Sequence, residues 1–156
     1  MKKFELTTES ITNVAGKKLF RIKALIDFGD VKAGEVGGYV EKEGNVSQDG
    51  NAWVYGNARV YGDARVYGNA RISGDAWVSG NADYTLIQGF GTEFRCTTFY
   101  RGKNKKIMVN CGCFHGDLKE FKKQVKETRS GKIAKEYLMI ADLMENHFAS
   151  EDSGNE

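Results

Sequence analysis

The chain has 156 residues, 40% hydrophobic and 28% charged, with a formal net charge of +2. That balance is ordinary for a soluble globular protein of one unit, or two small ones sharing a core. No stretch is long or apolar enough to span a membrane, and no apolar run follows Met1-Lys2-Lys3-Phe4-Glu5 as it would in a signal peptide.

A cytoplasmic protein with no membrane partner is therefore expected. Its three cysteines, Cys96, Cys111 and Cys113, are read as reduced thiols, since an odd count argues against a disulfide framework. The 19 glycines and the absence of proline are unusual. Most of the glycines recur at a fixed spacing, so they are architectural rather than signs of disorder.

Residues 1–43 form a β-rich N-terminal cap. Phe4-Glu5-Leu6 and residues 18–26 alternate apolar and polar side chains, with turns at Ala15-Gly16-Lys17 and Phe28-Gly29-Asp30. Gly34 to Val40 then leads into the repeat as an irregular first coil.

Residues 44–85 are the repeat. Aligned by glycine, they read GNVSQD, GNAWVY, GNARVY, GDARVY, GNARIS, GDAWVS, GNADYT. Self-similarity at period six is the signature of a β-helix, with one short strand and one corner per hexad. Gly followed by Asn or Asp tolerates the positive φ that a corner needs. Side-chain alternation turns Val54, Val60, Val66, Ile72 and Val78 inward, and alanines 52, 58, 64, 70 and 76 fit where the turn crowds the axis. With three hexads per coil, about 18 residues, Val54 stacks under Ile72 and Val60 under Val78.

The same spacing sets Trp53 beside Arg71 and Arg59 beside Trp77 on two outer faces, each pair suited to a cation–π contact of about 0.5–1 kcal/mol. Tyr55, Tyr61 and Tyr67 sit beside the corners, and Arg65 is the remaining outward arginine. These side chains either cover the coils and join copies of a homo-oligomer, or form a surface for a ligand or partner. A solenoid this short needs caps at both ends, and the flanking segments supply them.

Residues 86–150 form an α/β domain. Thr97 to Tyr100 and Ile107 to Val109 read as a hairpin around a basic tip, Arg101, Lys103, Lys105 and Lys106, which is either a phosphate contact or a solvated loop. Asp117 and Glu120 make a capping-box start for a helix with Leu118, Phe121 and Val125 on one face. Ile133, Tyr137, Ile140, Met144 and Phe148 mark a second helix. This domain carries twelve basic against seven acidic residues, and 151–156 is an acidic tail expected to be disordered.

Two blocks of residues resemble known families. Asp27 to Gly34, Gly37 to Val40 and Ser47 to Tyr55 resemble the opening of hexapeptide-repeat proteins that occur widely in bacteriophage genomes and in some enterobacterial genomes. Val109 to Gly116, with Phe121, Val125 and Ala134-Lys135-Glu136-Tyr137, is similar to a small uncharacterised α/β domain that often accompanies them. The resemblance implies a mainly β fold, a short left-handed β-helix with an α+β cap, and a phage setting in the host cytoplasm. It brings no catalytic residue. It implies an accessory protein, with inhibition of host defence, such as a CRISPR effector, as one role.

The residues themselves offer little catalytic chemistry. Left-handed β-helix enzymes are commonly acyltransferases that use a coil histidine as general base, yet the only histidines are His115 and His147, both outside the repeat. Cys96, Cys111, Cys113 and His115 are soft ligands of the kind that hold zinc. Read on one strand, however, Cys-x-Cys-x-His is too linear for easy chelation, and buried thiols are the simpler reading. No cofactor is expected.

The expectation is thus a non-enzymatic binding protein, a homo-oligomer whose partner is a host protein or ribonucleoprotein. Trp53, Tyr55, Arg59, Tyr61, Arg65, Tyr67, Arg71 and Trp77 form the surface together with the basic tip. An oligomeric sponge for a nucleotide signal is the alternative, since arginine and aromatic residues also suit nucleic acid or a nucleotide.

Overall fold

Period-two alternation makes the N-terminal segment a meander of three strands, β1 (Phe4–Thr12), β2 (Lys18–Ala24) and β3 (Val36–Val40). The computed structural model describes residues 2–149, so the tail expected to be disordered, 151–156, lies outside the described residues. Both expected turns form; at the second, Phe28 and Val31 bridge each other across Gly29 and Asp30.

The repeat follows as two-residue strands, β4 (Trp53–Val54), β5 (Arg59–Val60), β6 (Arg71–Ile72) and β7 (Trp77–Val78). Gly50, Gly56, Gly62, Gly68 and Gly74 turn the corners with φ between 62° and 73°, where a Cβ is penalised. All pairing within the repeat is parallel. Val54 lies against Ile72 and Val60 against Val78, and every inward aliphatic from Val54 to Val78 is fully buried.

Upstream the register changes. Val40 pairs with Val60 and Val46 with Val66, both twenty residues apart instead of eighteen. Aligning Gly44 to Asp49 as the first hexad therefore misplaces it by two residues, because that alignment would put Gln48 in the inward position that Val46 occupies. The cause is local. Glu43–Asn45 forms a 3₁₀ turn, and Gly44 does not take positive φ. The buried Asn45 amide instead donates to the carbonyls of Gly62 and Ala64. Gln48 turns to the N-terminal strand, where its Oε1 accepts from the amides of Lys3 and Phe4.

The last coil meets an antiparallel sheet of β8 (Tyr84–Phe90), β9 (Arg95–Arg101), β10 (Ile107–Cys111) and β11 (Phe114–Asp117), in the order β11-β10-β9-β8. The central hairpin forms as expected; β8 runs across the expected boundary at 85/86, and the single strand read over Cys111 to His115 divides at Gly112 and Cys113 into the end of β10 and the start of β11. One face of this sheet closes the coil end, with Tyr84, Tyr100 and Met108 joining the core of the repeat. The other is covered by α1 (Leu118–Thr128) and α2 (Gly131–Phe148), which bury Phe99, Val109, Phe121, Tyr137 and Met144 between them. The capping box at Asp117 and Glu120 is present as expected. Among the described residues no helix is long and apolar enough to cross a membrane.

The opposite end of the repeat is closed by Phe4, Phe28 and a lysine. Lys3 is 1% exposed, and its Nζ donates to the carbonyls of Ala52 at 2.8 Å and Gly50 at 3.3 Å while lying over the Phe28 ring. Burial lowers its pKa from 10.5 to about 8, with Asp49 opposing the shift.

Gly62 and Gly68 have similar φ, 62° and 66°, but a Cβ on Gly62 would lie 2.5 Å from the Ser79 carbonyl oxygen whereas one on Gly68 meets nothing within 4 Å. Gly68→Ala should cost about 1 kcal/mol and Gly62→Ala at least twice that in urea unfolding. For Lys3 the charged form is disfavoured by folding, so stability is lowest below pH 8 and rises as pH climbs toward 10.5. The unfolding free energy should gain about 1 kcal/mol between roughly pH 7 and 9 relative to a Lys3→Met chain measured alongside.

Candidate binding face

The outward residues of the repeat do not form one surface, because successive hexads point to different faces. On the face of β5 and β7, side chains in register across four strands make a ladder: Arg21 beside Tyr39, Tyr39 beside Arg59, and Arg59 beside Trp77. The Arg21 guanidinium lies 4.3 Å from the centre of the Tyr39 ring and that of Arg59 lies 5.2 Å from Trp77. The Arg59–Trp77 pair is the one the period foresaw. Arg21 and Tyr39 were missed, although Tyr39-Val40 repeats the outward–inward pattern of Arg59-Val60 and Trp77-Val78.

The two ends of the ladder differ. Arg21 is fully engaged, donating to Glu9, to the Gly37 carbonyl at 2.7 Å and to the Tyr39 hydroxyl at 2.7 Å. Arg59 pairs with no carboxylate among the described residues. A cleft of about 210 Å³ opens beside it, lined also by Trp77, Asn57, Asp75 and, from the basic hairpin, Lys103. The hairpin reaches this place because Gly102 bridges Ala76 on the last coil.

On the face of β4 and β6 the expectation is corrected. Trp53 and Arg71 are in register, but Trp53 is 1% exposed, with Phe4 and Phe28 packed edge-on against it. The N-terminal segment folds over the first coil and takes the indole into the core. Arg71 instead lies over Tyr55 at 5.1 Å and pairs with Asp30. On the third face Arg65 is exposed, Tyr67 leans edge-on against the buried Tyr84, and the Tyr84 hydroxyl donates to the Arg65 carbonyl. Tyr61 is half-buried.

The basic tip also divides. Arg101 is a tie, pairing with Asp83 at 3.1 Å, donating to the Phe148 carbonyl and lying over the Phe148 ring. Lys106 lies 3.4 Å from Asp117. Lys103 and Lys105 are exposed and pair with none of the described acids.

Cys111, Cys113 and His115 do not share a strand. Cys111 ends β10, Gly112 and Cys113 form the hairpin turn, and His115 lies on β11. Cys111 packs toward the helices and accepts from Thr97, whereas His115 faces the coils, where its Nε2 is 3.3 Å from the Tyr100 hydroxyl. Cys96, half-buried, lines a separate cleft with Tyr55 and Arg71. Among the described residues no three His, Cys, Asp or Glu side chains are placed to share a metal ion. One contact invisible in sequence is that His115 rests on the Gly74 corner, where a Cβ would come within 3.2 Å of its ring. The Tyr100 hydroxyl continues to Ser73 and Asn110, and burial raises its pKa.

A family model described as the YdcK beta solenoid repeat matches residues 52–66 and again 64–80. Those matches lie on the hexads with glycine corners and parallel, eighteen-residue pairing. The repeat is a β-solenoid. No curated protein matches the chain. The ladder is thus built on a solenoid face that the N-terminal sheet extends from one end and the hairpin borders at the other.

The two tryptophans, one covered and one on the ladder, should respond differently to truncation. Trp53→Ala should cost about 3–5 kcal/mol in chemical unfolding, and Trp77→Ala no more than about 1.5 kcal/mol.

Proposed function

We propose that this chain is a non-enzymatic binding protein of bacteriophage origin that holds a host macromolecule through the ladder face and inhibits it. A bacterial defence component, such as a CRISPR effector, is the target class. The phage setting comes from the resemblance of residues 27–55 and 109–137, and with it a left-handed winding of the coils. The homo-oligomer is part of the same reading.

The observation that carries the binding role is Arg59, held against Trp77 and left without a carboxylate while Arg21, Arg71 and Arg101 are each neutralised. An arginine fixed in this way keeps a planar set of donors for an external anion at little further entropic cost. Trp and Arg are also the residue types that most often dominate binding energy at interfaces.

A sponge for a nucleotide signal would use the same cleft, since Trp77 offers a ring to stack on and Arg59 and Lys103 offer charge. Nucleotide released from the purified protein on denaturation would favour that reading.

The test is capture from the lysate of a bacterium with active defence systems. The wild-type chain should retain one stoichiometric protein or ribonucleoprotein and inhibit its activity when both are purified. The doubly substituted Arg59→Ala, Trp77→Ala chain should retain at least about tenfold less. Equal retention and inhibition by the double variant would remove the ladder from the binding role.

A further inference from the structure

The ladder cleft places a cation, an aromatic ring and a second cation around one small opening. Arg59 presents a guanidinium braced against Trp77, and Lys103 enters from the hairpin with no acid of its own among the described residues. Trp77 is only half-buried and lines the cleft. A π-face between positive side chains is the arrangement by which proteins hold the bases and backbone of an unpaired strand.

We infer that this cleft binds a nucleotide unit of single-stranded nucleic acid, the base against Trp77 and the neighbouring phosphates at Arg59 and Lys103. The inference rests on the ladder being the binding face and names the chemistry it recognises. A duplex does not fit the observation, because its bases are stacked inside and unavailable to the indole. A purely acidic protein surface would leave the indole without use. Asp75, which lines the same cleft, restricts phosphate to the side of Arg59 and Lys103 and can accept from the exocyclic amine of a base. Tyr39, at 8% exposure, takes no part in stacking and serves to flank Arg59.

The full chain is titrated into fluorescein-labelled single-stranded RNA and DNA of about 12 nucleotides, a size within the range such sites cover, and binding is read by anisotropy. Saturable binding is expected that weakens about sevenfold between roughly 50 and 200 mM salt, the slope for two neutralised phosphates on a single strand. Arg59→Ala and Trp77→Ala should each weaken it about tenfold or more, whereas Lys135→Ala, on α2, should leave it within about twofold. Arg59→Lys, which keeps charge but loses the fork, checks the result independently if Arg59→Ala folds poorly by circular dichroism. Duplex of the same sequence should bind more weakly.

Three outcomes overturn the inference: no binding at about 100 μM protein and low salt, binding indifferent to both cleft substitutions, or a free mononucleotide that binds as tightly as the strand. If the strand fails while capture of a host partner still depends on Arg59 and Trp77, the ladder remains the binding face and only its nucleic-acid assignment falls. If neither depends on them, both fall.

Discussion

Everything in this molecule depends on the parallel register between coils. Corner glycines at positive φ let the chain turn every six residues, and the eighteen-residue return sets branched aliphatic on branched aliphatic inside and side chain on side chain outside. The buried columns supply the driving force, since each aliphatic lost to water would cost on the order of 1.5–3 kcal/mol. The outer ladder is a by-product of the same register: once Val60 sits on Val78, Arg59 must sit on Trp77.

So short a solenoid has more end than middle, and its ends explain the flanking segments. At one end a buried lysine gives its donors to two corner carbonyls while Phe4, Phe28 and Trp53 seal the apolar layer. At the other an antiparallel sheet crosses the last coil and passes its far face to two helices. Burying Lys3 opposes its charge, and the Ala52 carbonyl it satisfies is buried and would otherwise lose that donor. The amide of Asn45 and the side chain of Gln48 play the same part where the hexad pattern lapses.

Local rules in the sequence hold where nothing distant intervenes and are overridden at the two ends of the repeat. The inward valines, the alanine column, the Arg59–Trp77 pair and the Asp117 capping box follow from period and spacing, which no distant contact overrides. Trp53 occupies an outward position by the same rule, yet the N-terminal segment covers it, and nothing in a hexad reports what folds over it. The first hexad slipped by two residues because Gly44 resembles a corner in sequence but starts a 3₁₀ turn. Arg101 read as part of a basic tip and is a tie to Asp83 and Phe148, a pairing between residues far apart in the chain. Cys111 and His115 separated because a hairpin turn, unseen in the sequence, falls between them. The site is half legible: Arg59, Trp77 and Lys103 follow from the sequence, whereas Tyr39 needs the twenty-residue register of the irregular first coil and Arg21 needs the antiparallel pairing of that coil with β2.

We propose that the ladder face is where this protein meets its partner, and the two tryptophans make that directly measurable. Trp53 is enclosed and Trp77 is on the ladder, so their indole N–H resonances report the core and the face separately in a proton–nitrogen correlation spectrum. On titration with a single-stranded oligonucleotide, the Trp77 indole and the Arg59 side-chain signals should move progressively and saturate while the Trp53 indole stays in place. Shifts confined to the helices α1 and α2, or a spectrum in which Trp77 does not respond while other surfaces do, would remove the ladder from the binding role.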